Sequence, residues 1–194
     1  MATWKQITEA NPMHSENYAA RWRNFVAEGR DIDGEARLVD AVADRGARIL
    51  DAGCGTGRVA GYLAARAHHV VGTDVDPVLI GYARKDFPDV RFEVGDLETD
   101  EIPEGNFDVA VSAGNVMGFL SEEGREPALA NIARSLRPGG RFLVGFGLNR
   151  GWAAPDFLDT AARAGFELQN AYESWQLDPY TPMSGFLVAI LARR

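Results

Sequence analysis

Ile49-Leu50-Asp51-Ala52-Gly53-Cys54-Gly55-Thr56-Gly57 sets a short apolar run against an acid and then three glycines in alternate positions. Glycines at such a turn allow positive φ and let a ligand approach the main chain with no Cβ in the way. The following segment, Arg58 to Ala65, reads as a helix whose first N–H groups point back toward whatever the turn holds. A strand, a glycine turn and a helix in this order mark the docking place of a nucleoside-containing cofactor.

Downstream, apolar strand-like runs alternate with helical patterns, the signature of an α/β domain with a mostly parallel sheet. Val70 to Asp74 reads as the second strand, and Asp76 as the N-cap of a helix that opens on Pro77 and runs to about Lys85. Val90 to Val94 alternates in period two as a third strand, and Phe107 to Ser112 makes a fourth. Ser121 is expected to cap a helix with Glu122 and Glu123 in its first turn, stopped by Arg137-Pro138-Gly139-Gly140 and followed by a strand from Arg141 to Phe146. A helix near Pro155 to Ala164 and strands from Phe166 to about Trp175 and Phe186 to Leu191 complete the pattern. The last two strands have no helix between them and should pair antiparallel, because a parallel pair needs a crossover. Ahead of the glycine turn lie two helical patterns, Ser15 to Glu28 and Gly34 to Ala43. The first carries Tyr18, Trp22, Phe25 and Val26 along one face.

Composition narrows the function classes. The chain has 194 residues, 46% of them hydrophobic, which suits one domain with a full core. Its start, Met1-Ala2-Thr3-Trp4-Lys5, lacks signal-peptide regions, and no apolar run reaches the ~18 residues of a membrane span, so a cytoplasmic protein without membrane contact is expected. Cys54 is the single cysteine and His14, His68 and His69 show no metal-ligand spacing, so no metal is expected. A net charge of −8 with no basic cluster disfavours a nucleic-acid partner.

The segment Ile49 to Gly57 resembles the first motif of class I S-adenosylmethionine-dependent methyltransferases, a hydrophobic strand followed by D/E-x-G-x-G-x-G. The likeness extends over about residues 47 to 194 and is looser beyond that motif. It implies a Rossmann-like fold: an α/β, doubly wound, seven-stranded, mostly parallel sheet with one antiparallel strand near the C-terminus. It also implies S-adenosylmethionine as cofactor, S-adenosylhomocysteine as product, and an N-terminal lid. Residues 1–45 are accordingly expected to form a helical lid segment and 46–194 the cofactor-binding core of one domain.

Ligands in doubly wound sheets sit beyond the carboxyl ends of the strands, so strand-end residues are the candidates. By the resemblance, Gly53, Gly55 and Gly57 lie against the methionine part of the cofactor, with Asp51 organising the turn and the ammonium group. Asp74, seventeen residues after Gly57 at the end of the second strand, is placed to accept both ribose hydroxyls. As a pocket carboxylate at a strand end, it is expected to matter little to the ligand-free fold. Val75 would line one face of the adenine, Asp96 would accept from its exocyclic amine, and Leu97 would offer a backbone N–H to the ring. Ala113, within Ser112-Ala113-Gly114-Asn115, would border the methyl donor and help to supply a carbonyl to the ammonium group.

No residue stands out as catalytic. A sulfonium donor is already activated, so alignment of the acceptor for in-line attack suffices. Should the acceptor need deprotonation, His14, Tyr18 and Asn115 are the polar groups expected at the pocket mouth, while Arg23 could face the cofactor carboxylate. No insertion forms a substrate domain, which points to a small-molecule acceptor, with Phe119, Trp152 and Trp175 as candidate pocket walls. Two other readings stand beside this one. The first is a non-catalytic S-adenosylmethionine-binding protein. The second is an NAD-dependent oxidoreductase, since Gly55 to Ala60 satisfies G-x-G-x-x-A, although the extra Asp51-Ala52-Gly53 argues against it.

Overall fold

The computed structural model describes residues 2–194. Seven strands form one sheet in the order β3-β2-β1-β4-β5-β7-β6. They are β1 (Arg48–Ala52), β2 (His69–Asp74), β3 (Arg91–Val94), β4 (Phe107–Ser112), β5 (Leu136–Gly147), β6 (Phe166–Tyr172) and β7 (Phe186–Arg193). β1 pairs in parallel with β2 on one side and β4 on the other, which places the topological switch point between β1 and β4. β7 is antiparallel to both β5 and β6, as its helix-free link to β6 requires.

Helices cover both faces. α3 (Gly34–Val42), α4 (Arg58–Ala64) and α5 (Pro77–Asp86) bury Val39, Leu63 and Ile80 against Ile49, Val109 and Val111. On the other face, α6 (Arg125–Ser135) and α7 (Ala154–Arg163) bury Leu129, Ile132 and Phe157 against Leu50, Phe142 and Phe146. Ile49 and Leu50 enter opposite cores because successive strand side chains alternate between faces. A fully buried Leu side chain contributes roughly 1.5–3 kcal/mol, so the two cores together fix the sheet that carries the loops.

Local chemistry explains the boundaries. Asp76 caps α5 as its position before Pro77 predicts, accepting from the amides of Val78 and Leu79. The expected start of α6 needs correction: the helix begins at Arg125, not beside Ser121. The Ser121 hydroxyl instead accepts from the Gly124 amide and donates to Glu98, which holds residues 121–124 as a turn. Nor does Arg137-Pro138-Gly139-Gly140 lie outside the sheet. β5 starts at Leu136 and absorbs these residues in an irregularity opposite Phe107 to Val109.

The N-terminal helices are α2 (His14–Ala27) and α3, preceded by α1 (Trp4–Ala10), which the apolar periodicity does not announce. Thr3 and Gln6 close a reciprocal capping box at its start. α1 buries no residue. Its attachment is through specific side chains at its N-terminal turn.

Candidate cofactor site

The loops leaving β1, β2, β3 and β4 converge on one cavity of about 440 Å³. Gly53 and Gly55 contribute from the first loop, Asp74 and Val75 from the second, Asp96 to Thr99 from the third, and Ala113, Gly114 and Val116 from the fourth. Thr3 to Gln6, Glu9 and Tyr18 cross its mouth, and Phe119 to Ser121 form the remaining wall. A volume of roughly 300–1,000 Å³ lined by apolar groups with a few convergent polar ones is what a small-molecule site requires.

The three turn glycines all take positive φ, yet they serve different ends. A Cβ on Gly53 would come 2.4 Å from Val116, and one on Gly57 would come 2.8 Å from Phe92. These two glycines let neighbouring segments close upon the turn. Gly57 does not line the cavity; it is the N-cap of α4, packed toward Phe92 and Ala83. At Gly55, which lines the cavity, a Cβ would meet the Tyr18 ring at 3.6 Å, an ordinary contact, so here the positive φ rather than crowding favours glycine.

Asp51 also lies beneath the turn rather than on the cavity surface. It is 2% exposed, and its carboxylate accepts from the Ala60 amide at 3.1 Å. This bond takes one of the helix-start amides expected to point at the ligand. Burial pushes the Asp51 carboxyl up to about 7, against the opposing pull of Arg58. Arg58 is itself tied to Glu35 through two contacts of 2.9 and 2.5 Å and stacks 4.3 Å from the Trp22 ring centroid, which joins α4 to α2 and α3.

Asp74 lies on the cavity, as its strand-end position predicts. One oxygen accepts from the Gly55 amide at 2.8 Å and the other from the Asp76 amide at 2.9 Å. Each oxygen retains a lone pair, so two hydroxyls can still be accepted. Burial raises this carboxyl to about 6, offset in part by the two amides. Asp96 accepts from the Glu98 amide at 2.9 Å and from Lys5 Nζ at 2.5 Å. Val75, Leu97 and Ala113 all line the cavity.

Several expected groups are elsewhere. Asn115 turns its amide oxygen to the Gly147 N–H at 2.7 Å, which pins the end of β5. His14 packs its ring 4.9 Å from that of Trp4 and does not line the cavity. Arg23 sits over the Tyr82 ring. Trp152 is buried with Phe146 and Phe157, and Trp175 covers Gly145, so Phe119 alone of the three aromatics forms a wall.

The N-terminal contacts are those that periodicity misses. Trp4 Nε1 and Ser15 Oγ both donate to one Asp76 oxygen, at 2.8 and 2.5 Å, while the other caps α5. Asp76 thereby joins α1, α2 and α5 at one buried carboxylate. The Thr3-x-x-Gln6 spacing is the sequence signal that marks α1.

The methyltransferase-domain family matches over residues 49–140. A TehB-like SAM-dependent methyltransferase from Corynebacterium glutamicum ATCC 13032 Kitasato, known from its crystal structure, is 61% identical. That likeness covers 95% of this chain and 100% of that one, with a TM-score of 0.92. The magnesium-protoporphyrin O-methyltransferase of Rhodobacter capsulatus is 31% identical over 74% of this chain and 66% of its own length. The chain spans 52% of the dTDP-3-amino-3,4,6-trideoxy-alpha-D-glucopyranose N,N-dimethyltransferase of Streptomyces venezuelae, at 29% identity over 66% of this chain. SAM-bound CalS10, an amino pentose methyltransferase from Micromonospora echinaspora, shares the fold at 22% identity and a TM-score of 0.70, over 91% of this chain and 96% of that one.

Proposed function

The chain belongs to the S-adenosylmethionine-dependent methyltransferases, and from that premise we propose that the cavity beyond β1 to β4 holds the cofactor for transfer to a small-molecule acceptor. The supporting observation is the order of groups across the sheet. Asp96 after β3, Asp74 after β2, Gly53 and Gly55 after β1, and Ala113 and Gly114 after β4 line one cavity in that sequence. In the proposed arrangement Asp96, Val75 and Leu97 take the adenine, Asp74 takes the ribose diol, and Gly53, Gly55 and Ala113 take the methionine part. Asp51 and Gly57 act from beneath: Asp51 holds the start of α4, and Gly57 allows the close packing of the turn.

The bound cofactor supplies a methyl group on a cationic sulfur. The protein's share is position and dryness. Of the segment expected as a lid, α1 and α2 serve as one, with Trp4 and Phe119 excluding water above the cavity, whereas α3 packs into the core beside β1. In-line alignment in such a site can supply several kcal/mol of barrier reduction with no general base. The chain's net charge of −8 disfavours nucleic acid. Among the described residues no helix is long and apolar enough to cross a membrane; a cytoplasmic location is part of the proposal.

Incubation with methyl-labelled donor and a pool of small-molecule extracts tests the reading. Label is expected in a low-mass product, with stoichiometric formation of S-adenosylhomocysteine. Binding of donor without transfer to any pool would favour the non-catalytic alternative.

A further inference from the structure

Tyr18 stands in α2 with its ring edge-on to Trp4, at 5.4 Å between centroids, and to Trp22, at 6.2 Å. The Arg21 guanidinium lies 5.0 Å from the centroid of the same ring. These contacts limit the ring's freedom and therefore aim its hydroxyl. A Cβ built on Gly114 would lie 3.5 Å from the hydroxyl oxygen, and one on Gly55 would lie 3.8 Å from it. The phenol thus spans the two loops on either side of the switch point. The Trp22 indole N–H is the hydrogen-bonding neighbour of the Tyr18 oxygen, and because an indole only donates, the phenol's own proton has no acceptor among the described residues and is left for a ligand or water at the cavity.

The order of groups across the sheet says which part of the cofactor reaches this point. Passing from Asp96 to Asp74 to the β1 loop and then to Gly114 follows the cofactor from adenine through ribose to its amino-acid end. That end carries an ammonium and a carboxylate. The ammonium can be met by main-chain carbonyls of the surrounding loops, whereas the carboxylate needs a donor. Arg23, the cation expected there, is held over Tyr82. Burial raises the Tyr18 phenol, so it keeps its proton at neutral pH.

We infer that the Tyr18 hydroxyl donates a hydrogen bond to the α-carboxylate of S-adenosylmethionine, which makes α2 a recognition element for the amino-acid end of the cofactor. This rests on the reading of the cavity as the cofactor site. Recognition of the carboxylate through α2 also couples lid position to an intact methionine moiety, so a nucleoside lacking that carboxylate binds without drawing on the lid.

The test is calorimetric titration of the full chain and of Tyr18→Phe with S-adenosylmethionine and with its decarboxylated analogue, which keeps the sulfonium and the amine. The variant should bind S-adenosylmethionine at least about tenfold more weakly, as loss of a hydrogen bond to a charged group entails, and bind the decarboxylated analogue within about twofold of wild type. Equal losses with both ligands, or no loss with S-adenosylmethionine, would overturn the inference. Should the variant melt early, the wild type decides: equal affinity for the two ligands overturns the inference, and a preference of at least about tenfold for the carboxylate form supports it. A wild-type chain that binds neither ligand would instead overturn the reading of the cavity, and the inference with it.

Discussion

Asp74 is both a cavity residue and a structural tie, because its two oxygens hold the amides of Gly55 and Asp76. The expectation that its loss would leave the ligand-free fold untouched is therefore revised. Asp74→Ala should weaken S-adenosylmethionine binding by about one to two decades. It should also lower the ligand-free melting temperature by roughly 2–8 °C, from about 1–2 kcal/mol of lost bonding in a chain of this size. Titration and thermal melting measure the two effects, and unchanged affinity would remove Asp74 from the site. Asp51 and Asp74 also make a joint pH prediction. Their folded values of about 7 and about 6 lie above the ordinary value of about 3.9. The native state therefore holds more protons between about pH 4 and 7, and the stability this gives is complete below pH 4 and lost as the pH rises to 7. Carboxyls lowered by arginine or histidine partners, such as Glu104, Asp108 and Asp40, act with the opposite sign, but below about pH 4.5. Ligand-free chemical denaturation should show falling stability from pH 5 to 7.5, with a shallower slope in Asp51→Asn. An equal slope in that variant would contradict the assignment.

At the scale of elements, much was legible where a local rule acts alone. β4 runs from Phe107 to Ser112 as its apolar alternation indicates, and α5 begins at Pro77 behind its Asp76 cap. The start of α6 was not, because Glu98, 23 residues away, recruits Ser121 into a turn. α1 escaped apolar reading because it fully buries no residue; it is attached by the Trp4 ring, edge-on to His14, Tyr18 and Phe119, and by two polar contacts, Trp4 to Asp76 and Lys5 to Asp96. A seven-residue helix of this kind is marginal without tertiary support. Hydrogen exchange should therefore show fast exchange in Trp4–Ala10 without ligand and added protection there and across Tyr18 to Phe25 with saturating S-adenosylmethionine. Trp4→Phe, which removes the donor to Asp76 but keeps an aromatic ring, should reduce that protection. Equal exchange with and without ligand would reject the lid.

For the whole molecule, the strand order and the switch point place the cavity, and both follow from alternating strands and helices that the sequence displays. The acids at strand ends were legible for that reason. Which glycines face the cavity was not, since it depends on Phe92 and Val116 arriving from remote segments to press on Gly57 and Gly53. The fate of Trp152 and Trp175 was hidden likewise: an aromatic reads alike in sequence whether it fills a core or walls a site. The account as a whole stands on one cavity holding one kind of cofactor, and parallel calorimetric titrations of the full chain with S-adenosylmethionine, S-adenosylhomocysteine and NAD measure this most directly. The predicted result is one site per chain for each adenosyl sulfur ligand and no detectable binding of NAD; binding of NAD in preference to both would contradict it.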